Sequence, residues 1–263
     1  FELAKKGYKV SVLTGLPNYP KGKVYKGYGL FRKRIEKVDG VTIYRSLVVP
    51  RGKGSGLMLA LNYFSWAFFA SFWALFLAFR HRYDAILVHE TSPITQGFPA
   101  LIVRRIQKIP MYFWVLDLWP ESLQSAGGGN NKFVLGFFAR IAKLMYSRSK
   151  KILVTSKGFY DSIVSKGPYA QKIVYFPNWD VSLCYDGADY PIPSLPQGFL
   201  VMYAGNIGEA QDFDNILQAA LLLKEHPAIK FVFVGDGRKR PWVESFIREH
   251  GLEEKVFLMG QHP

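Results

Sequence analysis

The chain has 263 residues, 49% of them hydrophobic and 16% aromatic, which is enough for two domains with sizeable cores. One cysteine, Cys184, excludes an internal disulfide framework and suits a reducing compartment; the five histidines (81, 89, 226, 250 and 262) are too scattered for metal-ligand spacing. The formal charge is +14, and residues 1–55 hold 13 Lys/Arg against only Glu2, Glu36 and Asp39, so an anionic partner is expected: nucleic acid, a phosphorylated substrate or a lipid headgroup surface.

The opening "FELAKKGYKV" reads as the last turns of a helix entering a strand, "YKVSVLT". It shows no secretory leader, and "FLMGQHP" stops just past another strand, so the sequence reads as a fragment cut at both ends. A second strand is expected at "VTIYRSLVV" (41–49). Residues 54–79 then carry no charge at all. Of these, 57–79 form a run of 23 residues, nine of them aromatic, between Lys53 and Arg80. At ~1.5 Å per residue such a helix could span a hydrocarbon core of ~30 Å. Asn62, Ser65 and Ser71 make no polar face, so the helix is apolar nearly all round.

A true crossing would separate strand 41–49 from the next strand, "DAILVH" (84–89), and both are expected in one sheet. The preferred reading is therefore a helix lying in a membrane surface, helped by its basic neighbours; a buried domain helix is the alternative.

"PMYFWVLD" follows, a buried strand from Met111 to Leu116 that ends abruptly on Asp117, with Trp119, Pro120, Glu121 and Ser122 behind it. These residues are either an ordinary loop with a helix cap or the floor of a cleft. After the strand "KILVTS", Ser156 is expected to cap a helix whose first turn holds Lys157, where a cation opposes the macrodipole. An anionic ligand or plain surface exposure would each explain it. "KIVYFPN" is the next strand, and the Pro-rich 189–198 reads as a linker.

Strand–helix alternation restarts with "GFLVMYAGNIG", "DNILQAALLLKEH", "IKFVFVGDG" and "KVFLMG". The expected organisation is an α/β domain over 1–188, the linker 189–198, and the start of a second α/β domain over 199–263. In open parallel sheets ligands bind beyond the carboxyl ends of strands. In the second domain those ends are "AGNIGEAQ" (204–211) and "VGDGRKR" (234–240), whose small residues let backbone N–H groups approach a phosphate. A Gly-x-Gly after a strand is equally a tight turn. "DFD" (212–214) opens a helix instead of following a strand, so Asp212 reads as an N-cap and not as half of a metal site.

Taken in order, "LTGLPNYPKGKVYKGY" (13–28), "DLWPES" (117–122), "SKGFYDSI" (156–163), "PNW" (177–179), "YAGNIGEAQ" with "DNIL" (203–217) and "FVGDG" (233–237) resemble the family-4 retaining glycosyltransferases of the GT-B fold. "GLPNYPKG" together with "DLWPES" resembles the fucosamine-transferase branch that builds O-antigen and capsule-type polysaccharides. The resemblance covers essentially the whole chain.

It implies two Rossmann-like domains facing a cleft, a nucleotide-sugar donor on the second, and on the first an acceptor that is a saccharide or a sugar on polyprenyl diphosphate. It implies no metal and no cofactor, and a protein on the cytoplasmic face of the membrane, held by residues 57–79 and the basic segment 1–55. Under it Asp117 and Glu121 are expected to be catalytic, with Glu121 orienting the acceptor or capping a helix. Gly205, Asn206, Gly208, Gly235, Asp236, Gly237, Lys157, Arg238 and Arg240 would bind donor, and Asn18, Tyr19, Lys21 and Trp119 acceptor, Trp119 by stacking on a sugar face.

Three departures stand out. A strand and Gly-rich loop expected before Phe1, and a Glu-x7-Glu region expected after Pro263, are absent from this sequence, so activity is expected of the longer protein. The Arg and Lys usual after the "GN" loop are replaced by Glu209-Ala210-Gln211-Asp212, so the diphosphate cations must come from Lys157, Arg238 or Arg240. A sugar-nucleotide 2-epimerase shares this architecture but needs no lipid-facing helix. A non-catalytic basic module is the third reading, and the absence of any aromatic-basic sheet motif or recognition helix argues against nucleic acid.

Overall fold

A run of β-branched and aromatic residues becomes an interior strand when helices can cover it, and this chain meets that condition repeatedly. The computed structural model describes residues 1–19, 21–52, 55–125, 131–178, 194–208 and 211–262. The proposed linker 189–198 lies half outside those residues, as do Cys184, Glu209 and Ala210 entirely. The chain divides into two compact units, Phe1–Gln124 with Gly128–Asn178, and Trp179–Pro263 with Ser125–Gly127.

In the first unit, helix α1 (Glu2–Lys5) leads into β1 (Val10–Gly15), which pairs in parallel with β3 (Val41–Ser46). A strand not anticipated from the sequence, β2 (Ile35–Val38), pairs antiparallel with β3. The signal for it is Asp39-Gly40, whose φ values of 45° and 80° match the hairpin turn that Asp-Gly favours. A second sheet runs β4 (Ile86–Glu90), β5 (Met111–Val115), β6 (Lys151–Val154) and β7 (Ile173–Tyr175), all parallel. Helices α3 (Gly97–Gln107), α4 (Glu121–Ser125), α5 (Lys132–Arg148) and α6 (Phe159–Ser165) connect them. Phe113, Val115, Met145, Tyr146, Ile152 and Ile163 form the centre of the core.

The expectation that residues 41–49 and 84–89 share a sheet is not met: β3 and β4 belong to different hydrogen-bonded ladders. Successive residues along β1 and β4 instead line one cavity of about 1370 Å³.

Helix α2 (Gly56–Arg80) fills the uncharged segment, with Ser55 Oγ accepting from Met58 N at 3.4 Å as its N-cap. Its apolar circumference is sorted by size. Ala67, Ala70, Ala74 and Ala78 face inward, where small side chains let the helix pack closely on the domain. Leu57, Leu61, Phe64, Phe68, Phe72, Leu75 and Phe79 recur at three- and four-residue spacing and face outward. In this chain the helix is buried on its alanine face and exposed along the Leu and Phe stripe.

The second unit holds a parallel sheet in the order β8 (Phe199–Ala204), β9 (Ile229–Val234), β10 (Val256–Gly260). Helices α7 (Phe213–Leu222) and α8 (Arg240–Glu249) supply Phe213, Leu217 and Val243 to a core completed by Phe231, Phe233 and Leu252.

Candidate active site

In the first unit the polar groups of interest gather where β4 and β5 end. Parallel pairing sets Glu90 beside Val115, and Leu116 N donates to Glu90 O at 3.1 Å, so Asp117 comes off its strand beside the Glu90–Ser92 turn. Asp117 is half-buried, and burial pushes its carboxyl above the usual range while the Ser92 hydroxyl beside it pulls the other way. Ser92 holds φ at 98°, a left-handed value that costs an L-residue strain, and both Ser92-Pro93 and Trp119-Pro120 are cis.

Glu90 is the residue that sequence reasoning missed. It is 0% exposed, and neither carboxylate oxygen has a hydrogen-bond partner among the described residues. Burial first, and the Asp117 charge second, push its carboxyl well above the usual range; the backbone N–H groups of Asp117 and Ser92 act in the opposite direction without closing a bond. Tyr146 Oη, in the core of the first unit, and Thr95 Oγ1 are also buried without hydrogen-bond partners among the described residues. A weak signal existed: Glu90 ends a parallel strand, as Asp117 follows one.

One expected role is corrected here, and for Glu121 the structure agrees with the helix-start alternative. Trp119 is 4% exposed and packs against Phe138 with ring centroids 4.8 Å apart, so it is a core residue and offers no face for stacking a sugar. Glu121 opens α4, and its Oε1 accepts from Lys166 Nζ at 2.6 Å and from Ser162 Oγ at 2.8 Å, both belonging to the α6 end. Burial raises its pKa, but those two partners outweigh burial and the net direction is down. It ties α4 to α6 rather than pointing an unengaged carboxylate at a ligand.

Lys157 is exposed, with its ammonium 5.5 Å from the Tyr175 ring. It sits in the turn before α6, which starts at Phe159, and not in the helix's first turn as expected; Ser156 Oγ accepts from Gly158 N at 3.2 Å.

The expected acceptor residues fall on the β1 side. Asn18 and Tyr19 line the same cavity as His89, Thr91 and Ser92. Asn18 Oδ1 accepts from Arg51 N and from Asn62 Nδ2, each at 3.4 Å, and Asn62 Nδ2 also donates to Val49 O at 2.6 Å. Asn62, 4% exposed, thus pins the "PNY" loop to α2. Tyr19 stands under the Arg51 guanidinium at 5.2 Å, and Lys21 lies 5.4 Å from the Tyr25 ring, away from the cavity lining.

In the second unit the loops after β8 and β9 are knitted together. Gly205 N donates to Val234 O at 2.9 Å, Ile207 N to Asp236 O at 2.9 Å, and Lys239 N to Ile207 O at 3.0 Å. Gly235, at φ 135°, lies so close to its neighbour that a Cβ there would sit 1.9 Å from Gly205 O; one on Gly237 would sit 2.2 Å from Ile207 O. These glycines are required by loop-on-loop packing before any ligand is considered. Asn206 and Asp236 are exposed, Gly208 is buried, and Asp236 Oδ1 accepts from Gly237 N at 2.7 Å.

Of the cations expected to meet a diphosphate, Arg240 gives its Nε to Glu244 at 2.8 Å, and Arg238 also has a partner. Lys239 pairs with Asp214. Asp212 occupies the N-cap position of α7 without a side-chain cap; its Oδ2 accepts from Asn215 Nδ2 at 2.6 Å.

Comparison with known proteins adds the following. The family described as "Glycosyl transferase 4-like domain" matches residues 2–179, and "Glycosyl transferases group 1" matches residues 192–263. The "Putative colanic acid biosynthesis glycosyl transferase WcaI" of Escherichia coli K12 is 26% identical over 97% of the chain, which spans 65% of that protein. The "Probable glycosyltransferase WbjE" of Pseudomonas aeruginosa is 26% identical over 54% of the chain and 37% of its own length.

Among solved structures, sucrose-phosphate synthase from Thermosynechococcus elongatus superposes at a TM-score of 0.62, with 17% identity, over 99% of this chain and 62% of that one. Anabaena HepE in complex with UDP superposes at 0.58, with 15% identity, over 97% and 70%. These likenesses show an α/β fold of GT-B type with two Rossmann-like domains.

Proposed function

The chain belongs to the glycosyl transferase 4-like family, and we propose from that premise that its full-length protein moves a sugar from a nucleotide-sugar donor to an acceptor in cell-surface polysaccharide biosynthesis. The observation that carries the reading is the succession of two family matches along one chain, 2–179 and then 192–263. The donor class is supported by HepE, which was solved with UDP, and by the position of the glycine-containing loops 204–208 and 234–238 at the carboxyl ends of β8 and β9. "GLPNYPKG" and "DLWPES" support the finer assignment to an aminosugar, fucosamine-type branch.

In this reading Asp117 stabilises positive charge developing on the sugar ring, and Ser92 orients it. Asn18 and Tyr19 border the acceptor. The family resemblance implies transfer without a metal, and "DFD" opens α7 instead of following a strand, which supports reading its acids as helix-start residues. The acceptor is a saccharide or a sugar on a polyprenyl carrier. The protein works in the cytoplasm against the inner face of the membrane, supported by the outward-facing Leu and Phe stripe of α2 beside a basic N-terminal segment.

The test is incubation of the full-length protein with radiolabelled UDP-sugars and membranes. Label in the lipid extract or in saccharide supports the transferase. An isomerised free nucleotide sugar would assign a sugar-nucleotide 2-epimerase instead, and no turnover with any donor would overturn the reading.

A further inference from the structure

We propose that the groove between α2 and α3 holds one hydrocarbon chain of an anionic bilayer phospholipid, with the lipid phosphate at Arg105. The inference rests on the membrane reading of α2 given above and adds a built lipid site to it.

The groove has a volume of about 690 Å³, within the ~300–1,000 Å³ usual for small-molecule sites. Phe64 and Phe68 form one wall, and Phe98, Leu101, Ile102 and Ile106 the other. The side chains lining it carry two polar groups. Ser71 Oγ is already spent, donating to Ala67 O at 2.7 Å. Arg105 is exposed, and among the described residues no carboxylate pairs with it. A ligand therefore finds one cation and otherwise hydrocarbon. That chemistry selects an amphiphile with a single anionic end and rejects a sugar or a nucleotide, whose many hydroxyls would be stranded.

Three further observations point to a bilayer as the source. Phe64 and Phe68 belong both to the groove and to the outward stripe of α2, so the groove opens onto that stripe. The apolar surface continues across Phe64 to Phe138, whose centroids are 6.4 Å apart, and on to Phe137 and Phe133 of α5, which are 49% and 91% exposed. Neither α2 nor α3 carries an acid, while Arg80, Arg82, Arg104, Arg105 and Lys108 cluster by sequence at their C-terminal ends. Gln107 keeps those ends together, Nε2 donating to Ala78 O at 2.8 Å and to His81 O at 2.5 Å. A second copy of this chain, itself at +14, is a poor match for such a surface, whereas an anionic lipid complements it.

The experiment uses full-length protein and vesicles of phosphatidylglycerol and phosphatidylcholine, doped with a phospholipid that carries a photoreactive diazirine midway along one acyl chain. After illumination, label is expected on peptides covering 64–71 and 98–106. Ile102→Trp, and independently Ser71→Phe, fill the groove and should cut label on 98–106 at least fivefold while vesicle co-sedimentation and the circular dichroism spectrum stay the same.

Sedimentation with vesicles but label confined to 72–79 would overturn the groove and leave the membrane reading standing. No sedimentation and no label would overturn both. A lipid-free dimer that protects 98–106, or displacement of the label by equimolar polyprenyl phosphate, would give the groove another occupant and overturn the phospholipid.

Discussion

Lys166 Nζ donates to Glu121 Oε1 at 2.6 Å and, at the same distance, to Ser162 Oγ, which donates to that same carboxylate oxygen. Lys166 is 9% exposed and Glu121 44%, so the pair sits at the edge of the surface: its ammonium is desolvated and one carboxylate oxygen, Oε2, is buried, while part of the Glu121 side chain reaches solvent. Removing the carboxylate strands a buried cation, which in fully buried pairs costs ~3–5 kcal/mol. With half-exposure that figure is discounted, and Glu121→Gln is expected to cost about 1–2 kcal/mol in urea unfolding.

The pH dependence follows from the lowered Glu121 carboxyl. Its contribution is present above the unfolded value and is lost as pH falls through the folded one, so wild type should lose stability below about pH 4.5 more steeply than the Gln variant. A variant as stable as wild type would remove the structural role assigned here and return Glu121 to the list of candidate acceptor contacts.

Glu90 behaves in the opposite sense. Its folded carboxyl lies well above the ordinary value, so the native state keeps a proton that the unfolded chain releases. Stability from this group is complete at low pH and declines as pH rises from the unfolded value toward the folded one. Glu90→Gln keeps the shape and cannot ionise, so its melting temperature should exceed wild type at pH 8 by several degrees and converge with it near pH 4. A variant that melts lower at pH 8 would mean that Glu90 is held as a charged, satisfied carboxylate.

Periodicity made the strands legible, because continuous apolar runs such as Met111–Val115 and Phe231–Val234 have few alternatives to a covered parallel sheet. β2 was not legible: Ile35–Val38 alternates exposed and half-buried residues, and Asp39-Gly40 was its only strong mark. In the candidate site, Asp117 could be found because it interrupts an apolar run at its end. Glu90 could not, since what sets it apart is burial without partners, a property of the assembled loops. Trp119 misled for a related reason. An aromatic beside a strand end can face a ligand or the core, and only Phe138, a neighbour from α5, decides.

Gly235 shows how far the loops of the second unit are self-constrained. The sequence reads Gly235 as a residue kept small so that backbone can approach a phosphate, which alone would make a larger side chain a binding defect with little loss of fold. The geometry replaces that expectation: a Cβ 1.9 Å from Gly205 O, at a φ of 135°, must move the backbone of both loops. A Gly→Ala change at a compatible backbone position stabilises by ~0.4–1 kcal/mol; Gly235→Ala should instead lower stability by more than that amount, and UDP affinity should fall with it. Full stability by thermal melting with intact UDP binding by calorimetry would show that the loops have slack.

The outward stripe of α2 gives a separate prediction. Phe72 and Phe79 are 58% and 76% exposed and lie off the groove lining, so charging them removes apolar surface without opening the core. Phe72→Lys with Phe79→Lys should move the full-length protein from the membrane pellet to the supernatant, with its melting temperature and nucleotide binding kept. Continued sedimentation in high salt would place the attachment elsewhere, and unfolding would make these positions core.

Asp117 carries the chemical prediction. It leaves β5 one strand over from Glu90, half-buried, with the Ser92 hydroxyl beside it, and the surrounding desolvation that raises its pKa also strengthens its field on any nearby charge. Under the proposed transfer, the charge it would meet is the positive charge that develops on the sugar as the nucleotide departs. Interactions formed mainly at that stage act on turnover instead of on ground-state binding, and are worth about 3 kcal/mol, roughly a hundredfold in rate. Asp117→Asn retains shape and the Ser92 contact but removes the charge. Turnover by the full-length protein should fall a hundredfold or more, with nucleotide affinity unchanged, because the donor loops of the second unit are untouched. Since its carboxyl is shifted upward, wild-type turnover should also begin to fail in acid at a higher pH than an ordinary Asp would require, and the Asn variant should lose that limb. A fall of less than about threefold, with the acid limb intact, would make Asp117 part of the scaffold and leave the positive charge to another group.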